Sequence, residues 1–513
     1  MPVPKLFSSL HPGRRSLVTA MIKEIKKILL TQPNYAWLSK RTWQFPPYTL
    51  CLLKAVIKSQ AEAIVFDPNF KNLSEEETIK FLKTVNPDLI GVSSISTEYF
   101  NVTRHTIALI RKHLPGTVIV LGGVLPTVMT EEAMKDRNVD YWIIGEGELA
   151  FPRLIEELRK GAKDLSGISG LAYWQGSTPV INKMEFVSDL DKVPFPDYSS
   201  IAGLTLCDYG NIKFKYAPGL LARNYPSAVT ITSRGCPYRC IFCAGRTISG
   251  EKVRFRSAEN VLNEIDYLYK QGIREVIFLD DHFLADRNRA IKIMNGILEN
   301  HRDLTWKCVN VTAWLLDEKI LKLMHKSGCN FIVVSIESGS RRVLRDIIKK
   351  PIKLENIPPI LKLAKSIGFD IIANFVVGFP GETWEEIRET FAFAEKLEAD
   401  MVNFHIATPL PKTELMDICL REKLLPSDYI ENISRYSGYG KGLITTEEFT
   451  PFELEVLRSY EWDRINFSSD KRKKAVARIN GITAEELEDW RVNTRRNLGV
   501  NSLVKNIMSS PEK

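Results

Sequence analysis

The chain has 513 residues, with 70 Lys and Arg against 62 Asp and Glu, a formal net charge of +8, 44% hydrophobic and 26% charged positions. These proportions belong to a globular protein long enough for two or three domains with real cores, and they exclude disordered, collagen-like and fibrous chains. No run of about 18 apolar, uncharged residues occurs, so a spanning helix is not expected. The first thirty residues lack the continuous apolar stretch of a secretory signal, and a cytoplasmic location is expected.

Residues 1–24 read as an amino-terminal extension. From Lys27 to about Leu158, short β-branched runs alternate with amphipathic stretches, the pattern of a parallel sheet with crossover helices. Strands are predicted at 27–32, 63–66, 89–93, 117–121 and 141–144, and helices at 48–59, 75–84, 102–113, 131–135 and 149–159. Residues 25–160 therefore form a Rossmann-like, doubly wound α/β domain, which binds ligands at the carboxyl ends of its strands. Ser93, Ser94, Ser96, Thr97, Gly122, Gly123, Gly145 and Glu146 fall there. No G-x-G-x-x-G follows the first strand, so a nicotinamide or flavin dinucleotide is not supported. A glycine pair after a strand is as readily a turn requirement as a binding feature.

Residues 161–223, with Val193-Pro-Phe-Pro-Asp197, read as a loop-rich connector. A second alternating series follows over 224–415, with strands predicted at 229–233, 275–279, 306–311, 331–336, 371–377 and 401–406. Six βα units in about 180 residues imply a partial barrel, since closure takes eight. Residues 416–513 form a smaller, mainly helical region with a helix at 484–498. The basic run Lys471-Arg-Lys-Lys474 there reads as a solvated helix face, and a nucleic-acid partner is not expected. Tyr436, Tyr439 and Trp462 suit either a cap over a substrate or the core of this region.

Eight cysteines are too few for a disulfide scaffold. Cys51, Cys207, Cys308, Cys329 and Cys419 are scattered singly and read as small buried hydrophobes. Cys236, Cys240 and Cys243 lie within the loop Ser233-Arg-Gly-Cys-Pro-Tyr-Arg-Cys-Ile-Phe-Cys-Ala-Gly245, directly after the first barrel strand. Three thiolates at C-x3-C-x2-C spacing can hold three irons of a cubane and leave the fourth iron without a protein ligand. Zinc would ask for a fourth Cys or His at similarly tight spacing, and none follows at once.

This loop resembles that of the radical S-adenosylmethionine superfamily, where it follows the first strand of a (β/α)6 partial barrel and an aromatic, here Phe242, precedes the third cysteine. The resemblance implies a [4Fe–4S] cluster on Cys236, Cys240 and Cys243, S-adenosylmethionine on the open iron, and a 5′-deoxyadenosyl radical on reductive cleavage. It also implies cofactor contacts from Asp280 and Asp281 at the end of the second strand and from Glu337 in Ser335-Ile-Glu-Ser-Gly-Ser340. Each of these carboxylates could instead serve as a structural salt bridge or cap. Asn374-Phe-Val-Val-Gly-Phe-Pro-Gly-Glu382 is similar to the adenine-side motif, though displaced by one residue from G-x-I-x-G-x-x-E. That shift leaves Glu382 without an assigned role, and the sixth strand end, His405–Pro411, would face the adenine.

The first domain narrows the resemblance to the cobalamin-dependent radical S-adenosylmethionine enzymes, through Phe45-Pro-Pro-Tyr48, Val92–Thr97, Leu121-Gly-Gly123 and Ile144-Gly-Glu-Gly-Glu148. The likeness covers about residues 25–415. It implies cobalamin held by Ser93, Ser94, Ser96, Thr97, Gly122, Gly123, Gly145 and Glu146, small or hydrogen-bonding positions that allow close approach. No Asp-x-His-x-x-Gly follows the first strand, so cobalt would lack the histidine of that motif. Water, or a residue of Asn34–Trp43, would meet its lower face.

The implied activity is methylation of an unactivated centre, with methylcobalamin supplying the methyl group to a substrate radical. The implied partners are an unidentified substrate, whether a small molecule, lipid, tetrapyrrole, peptide or protein, and an external low-potential electron donor. Non-methylating ring formation or rearrangement is the alternative within the same resemblance. An RNA methylthiotransferase would need a second cysteine triad in the first domain, and Cys51 stands alone there.

Overall fold

The computed structural model describes residues 25–38, 44–162, 164–199, 201–212, 219–430, 432–433 and 440–497. The chain divides into two compact units, Met1–Ser188 with Val193–Thr205, and Asp189–Lys192 with Leu206–Lys513. Tyr436 and Tyr439 lie outside the described residues, as do the basic amino-terminal stretch and residues 39–43.

The first unit is built on β1 (Lys27–Thr31), β2 (Glu62–Phe66), β3 (Leu89–Ser94), β4 (Val118–Gly123), β5 (Tyr141–Ile143), β6 (Leu171–Gln175) and β7 (Thr178–Ile181). Their order in the sheet is β2-β1-β3-β4-β5-β6-β7, parallel through β5 and antiparallel beyond it. Central strands read as near-continuous apolar runs because crossover helices cover both faces. Leu29, Ile90, Ile119 and Trp142 are accordingly wholly buried. The helix Glu75–Val85 starts at a capping box in which Ser74 and Glu77 satisfy each other's backbone N–H groups.

The β6–β7 hairpin departs from the sequence expectation, since it falls in the stretch read as connector and continues the first sheet. Its signal is weak because β7 is mostly exposed and short, so no apolar alternation marks it. What fixes it is a turn glycine, Gly176 at φ +62°, and the Trp174 indole N–H, which donates to the carbonyl of Met134 at 3.1 Å.

In the second unit, β8 (Ser227–Thr230), β11 (Glu275–Phe278) and β12 (Thr305–Cys308) form one parallel group. β13 (Phe331–Glu337), β14 (Asp370–Val377) and β15 (Met401–Ile406) form another. A parallel bridge between Val311 and Val334 joins them, with the Val311 N–H donating to the Val333 carbonyl at 2.8 Å. The result is an open six-stranded arc, flanked by the helices Ala258–Lys270, Arg287–Asn300, Glu318–Lys326, Ile357–Ile367 and Trp384–Lys396. Two short antiparallel strands, β9 (Ser233–Arg234) and β10 (Arg254–Phe255), interrupt the first crossover, and a π-helical turn, Val343–Ile348, follows β13.

The last strand of the arc is finished by side chains rather than by another strand. Asn466, at the end of the helix Pro451–Asn466, accepts from the Val402 N–H (2.8 Å) and donates to the Val402 carbonyl (2.9 Å). Arg458 of the same helix donates through Nε to the Phe404 carbonyl at 2.5 Å. Trp462 is core in this region, ringed by Phe467 and Trp490. In the basic run, Arg472 is not a solvated charge: its guanidinium donates to the carbonyls of Ile465, Glu395 and Leu397. Of the scattered cysteines, Cys51, Cys308, Cys329 and Cys419 are buried, whereas Cys207 is only half-buried and donates to the Gln271 carbonyl. No helix among the described residues is long and apolar enough to cross a membrane.

Candidate functional site

The three-cysteine loop leaves the short strand β9 at Gly235, whose φ is +101°. A Cβ there would stand 2.4 Å from the Lys252 carbonyl oxygen, so the chain can take this corner only as glycine. The Gly235 N–H donates to Asp281 Oδ2 at 3.0 Å, and the Cys236 N–H donates to the Gly250 carbonyl at 3.0 Å. In the middle of the loop, Ile241 donates to the Ile348 carbonyl (3.2 Å) and accepts from the Leu415 N–H (2.9 Å). The loop is thus fastened at its root and at its centre while all three thiols stay unpaired as disulfides.

The sulfurs meet backbone donors: the Tyr238 N–H reaches Cys236, and the Gly245 N–H lies 3.3 Å from Cys243 Sγ. Desolvation raises all three thiols, Cys240 to about 12, although Cys243 keeps an exposed face, so a cation must take the proton's place before these sulfurs become ligands. No three His, Cys, Asp or Glu among the described residues form a site for a single metal ion. A cubane asks for something else, one thiolate on each of three separate irons, which a loop with this donor set can provide.

Of the carboxylates named from the sequence, Asp281 is exposed beside the loop. Asp280 is buried and wholly engaged, accepting from the Thr232 N–H (2.6 Å), the Thr232 hydroxyl (2.5 Å) and the Ser233 hydroxyl (2.8 Å). It ties the end of β8 to the end of β11. Burial raises its carboxyl despite those donors. Glu337 ends β13 at a register shift, with φ +75°, and accepts from Lys350 Nζ at 2.7 Å. The Phe242 ring lies 5.7 Å from that of Phe379 in the motif after β14.

Four further side chains stand at this end of the arc. The Tyr238 ring lies 5.1 Å from His282 and 5.2 Å from Trp314, whose indole N–H donates to the Tyr238 hydroxyl at 3.2 Å. Burial lowers His282, favouring the uncharged imidazole. Lys350 completes the set. Tyr238 could have been singled out by its place inside the C-x3-C spacing, but nothing in the sequence marks Lys350 or Trp314, which come together only through the fold.

In the first unit, a cavity of about 70 Å³ opens at the carboxyl ends of the strands. Ser93, Gly122, Gly123 and Gly145 line it, with apolar walls from Leu50, Leu53 and Phe151. Gly123 has φ +94°, and a Cβ on it would fall 2.5 Å from the Ser94 carbonyl oxygen. The Thr127 hydroxyl donates to the Gly123 carbonyl (2.8 Å) and accepts from the Gly145 N–H (2.9 Å), holding the two glycine corners together. Glycines and apolar residues wall this slot, so a ligand there meets close backbone rather than charged side chains. Not every position named from the sequence lines this slot. Ser94 is buried and accepts from the Thr103 hydroxyl, Ser96 caps the turn 97–99 through the Glu98 N–H, and Glu146 accepts from the Val187 N–H. Thr97 is buried outside the slot lining.

These two sites on these two folds define a class. The chain matches the radical SAM superfamily over residues 230–394 and the B12 binding domain over residues 38–155. It is 33% identical over 408 residues to an uncharacterised methyltransferase of Pyrococcus horikoshii, covering 78% of this chain and 85% of that one. It therefore belongs to the cobalamin-dependent radical S-adenosylmethionine enzymes, whose cofactors are a [4Fe–4S] cluster, S-adenosylmethionine and cobalamin. The cytidylyl-2-hydroxyethylphosphonate methyltransferase of Streptomyces wedmorensis is 29% identical over 401 residues, with 72% of this chain and 73% of that one covered. In fold, the chain resembles the radical S-adenosylmethionine methyltransferase TsrM of Kitasatospora setae, solved with cobalamin and a [4Fe–4S] cluster. The TM-score is 0.66 at 19% identity, covering 77% of this chain and 78% of that one.

Proposed function

We propose that this chain methylates an unactivated centre of its substrate, taking the methyl group from S-adenosylmethionine. The observation that carries this reading is the presence in one chain of the glycine-walled slot and the three-cysteine loop, together with a relative named a methyltransferase over 408 residues. When bound, the cluster and S-adenosylmethionine supply a radical able to abstract hydrogen, and cobalamin carries the methyl group.

The residues take distinct parts. Cys236, Cys240 and Cys243 would hold the cluster. Asp281 and Glu337 would accept hydrogen bonds from S-adenosylmethionine, and Phe242 would shield the cluster. Ser93, Gly122, Gly123 and Gly145 would admit the cobalamin tail, while Ser94, Ser96, Thr97 and Glu146 hold the surrounding turns by the bonds and burial described above. Asp280 is a positioning residue for the strand ends. Substrate and electron come from outside: a small molecule, lipid, tetrapyrrole or peptide, and a low-potential one-electron donor. The reading places the protein in the cytoplasm and assigns it no nucleic-acid partner.

The test is anaerobic reconstitution with iron, sulfide and hydroxocobalamin, then incubation of the reduced protein with S-adenosylmethionine bearing a trideuterated methyl group and a metabolite extract. Both 5′-deoxyadenosine and S-adenosylhomocysteine are expected, with the label in a product, and all should vanish in Cys240→Ala. Deoxyadenosine formed without S-adenosylhomocysteine or labelled product would overturn methyl transfer in favour of ring formation.

A further inference from the structure

The π-helical turn after β13 places two consecutive lysines in different surroundings. Lys349, with φ +63°, reaches outward to an ion pair with Glu414. Lys350 turns inward, its side chain 11% exposed, and its Nζ donates to Glu337 Oε1 and to the Ser335 carbonyl, both at 2.7 Å. It lies 5.8 Å from the centre of the Trp314 ring, whose N–H holds Tyr238 of the cysteine loop. The same turn carries the Ile348 carbonyl that receives the Ile241 N–H, so the loop and the lysine are fixed to one element.

The charge of Lys350 acts on Cys236, Cys240 and Cys243 alike, and on His282. Two carboxylates act on these sulfurs in the opposite sense, Asp281 on Cys236 and Cys243 and Glu337 on Cys240 and Cys243. A group bound by three thiolates gains further negative charge when it accepts an electron. In a partly buried site, a nearby cation favours that change and a nearby anion opposes it.

We propose that Lys350 is a positioning residue that sets the reduction potential of the cluster, its ammonium being pinned by Glu337 and the Ser335 carbonyl where it favours the added electron. The inference rests on the reading that the three cysteines hold a cluster. The step is a one-electron reduction in which no bond forms, and the electron comes from a chemical reductant such as dithionite.

The test uses the full chain, reconstituted without oxygen, and follows the electron paramagnetic resonance of the reduced cluster in a potentiometric titration, with iron content measured on each variant. Lys350→Met is expected to keep its iron and move the midpoint to a more negative potential, lowering the reduced-to-oxidised ratio at a fixed potential roughly tenfold. Lys350→Arg should restore the midpoint. Glu337→Gln should move it the opposite way, by removing an anion while the lysine stays, and Lys349→Met should leave it in place. A fully loaded Lys350→Met with an unmoved midpoint overturns the proposal, including the case in which it only weakens S-adenosylmethionine binding. Should Lys350→Met fail to load, the decision passes to Glu337→Gln, and a midpoint that does not rise there overturns the proposal. An unaltered chain that takes up no iron overturns the cluster reading itself and this inference with it.

Discussion

Glu382 shows how a carboxylate can belong to a motif and still face its own backbone. Its Oε2 accepts from the N–H groups of Gly378 (2.7 Å) and Phe379 (3.0 Å), closing the turn after β14, while its other oxygen is buried without a partner. Those two amides and Arg342 favour the charged form, but burial outweighs them and raises the carboxyl to about 8. The folded protein therefore holds a proton that the unfolded chain releases near 4.5. Stability from this source is complete below about 4.5 and is lost as the pH rises through about 8. Glu382→Gln keeps an accepting carbonyl and removes the titration, so the fall in melting temperature between pH 5 and pH 9 should flatten in the variant. An unchanged slope would show that Glu382 is already charged in the fold. At this scale the cysteine loop stands out in the sequence by its spacing. Asp280 and Glu382 do not, since a carboxylate accepting backbone N–H groups and one awaiting a ligand look the same in sequence.

Among the elements, the five parallel strands of the first sheet and the six of the arc follow from their apolar runs, which burial on both faces makes continuous. The β6–β7 hairpin and the π-helical turn have no such signature: one is too exposed, and the other depends on a backbone register that side-chain pattern does not encode. The turn after β4 is the element on which the cobalamin reading depends most directly. Gly123→Ala would force a Cβ against the Ser94 carbonyl at a φ that L-residues avoid, and any relief moves the slot wall. The variant should retain its iron and lose cobalamin, with at least a tenfold fall in bound cobalt after gel filtration. Undiminished cobalt would show that the slot is not where the cofactor lies.

For the whole molecule, the division into two units separates the two donor sets: every slot residue lies in the first and every cysteine of the loop in the second. Cys240→Ala should therefore abolish iron uptake and leave the visible spectrum of bound cobalamin intact. Joint loss of iron and cobalt would show that one site cannot form without the other. The alternation of strands and helices made the two α/β folds readable in advance, whereas the unit boundary falls inside the stretch read as connector. The carboxyl-terminal helices were less readable, because the apolar residues of Pro451–Asn466 do not gather on one face.

That helix carries a consequence for how the chain avoids its neighbours. An arc of six strands ends in an edge, and a bare edge is a template on which another polypeptide can add a strand. Asn466 presents to Val402 the same donor and acceptor that an incoming strand would offer, and Arg458 occupies the Phe404 carbonyl two residues on. A single amide thus acts as decoy for a seventh strand. A chain ending before this helix would carry an adhesive border along β15, and aggregation rather than loss of chemistry would be its first failure.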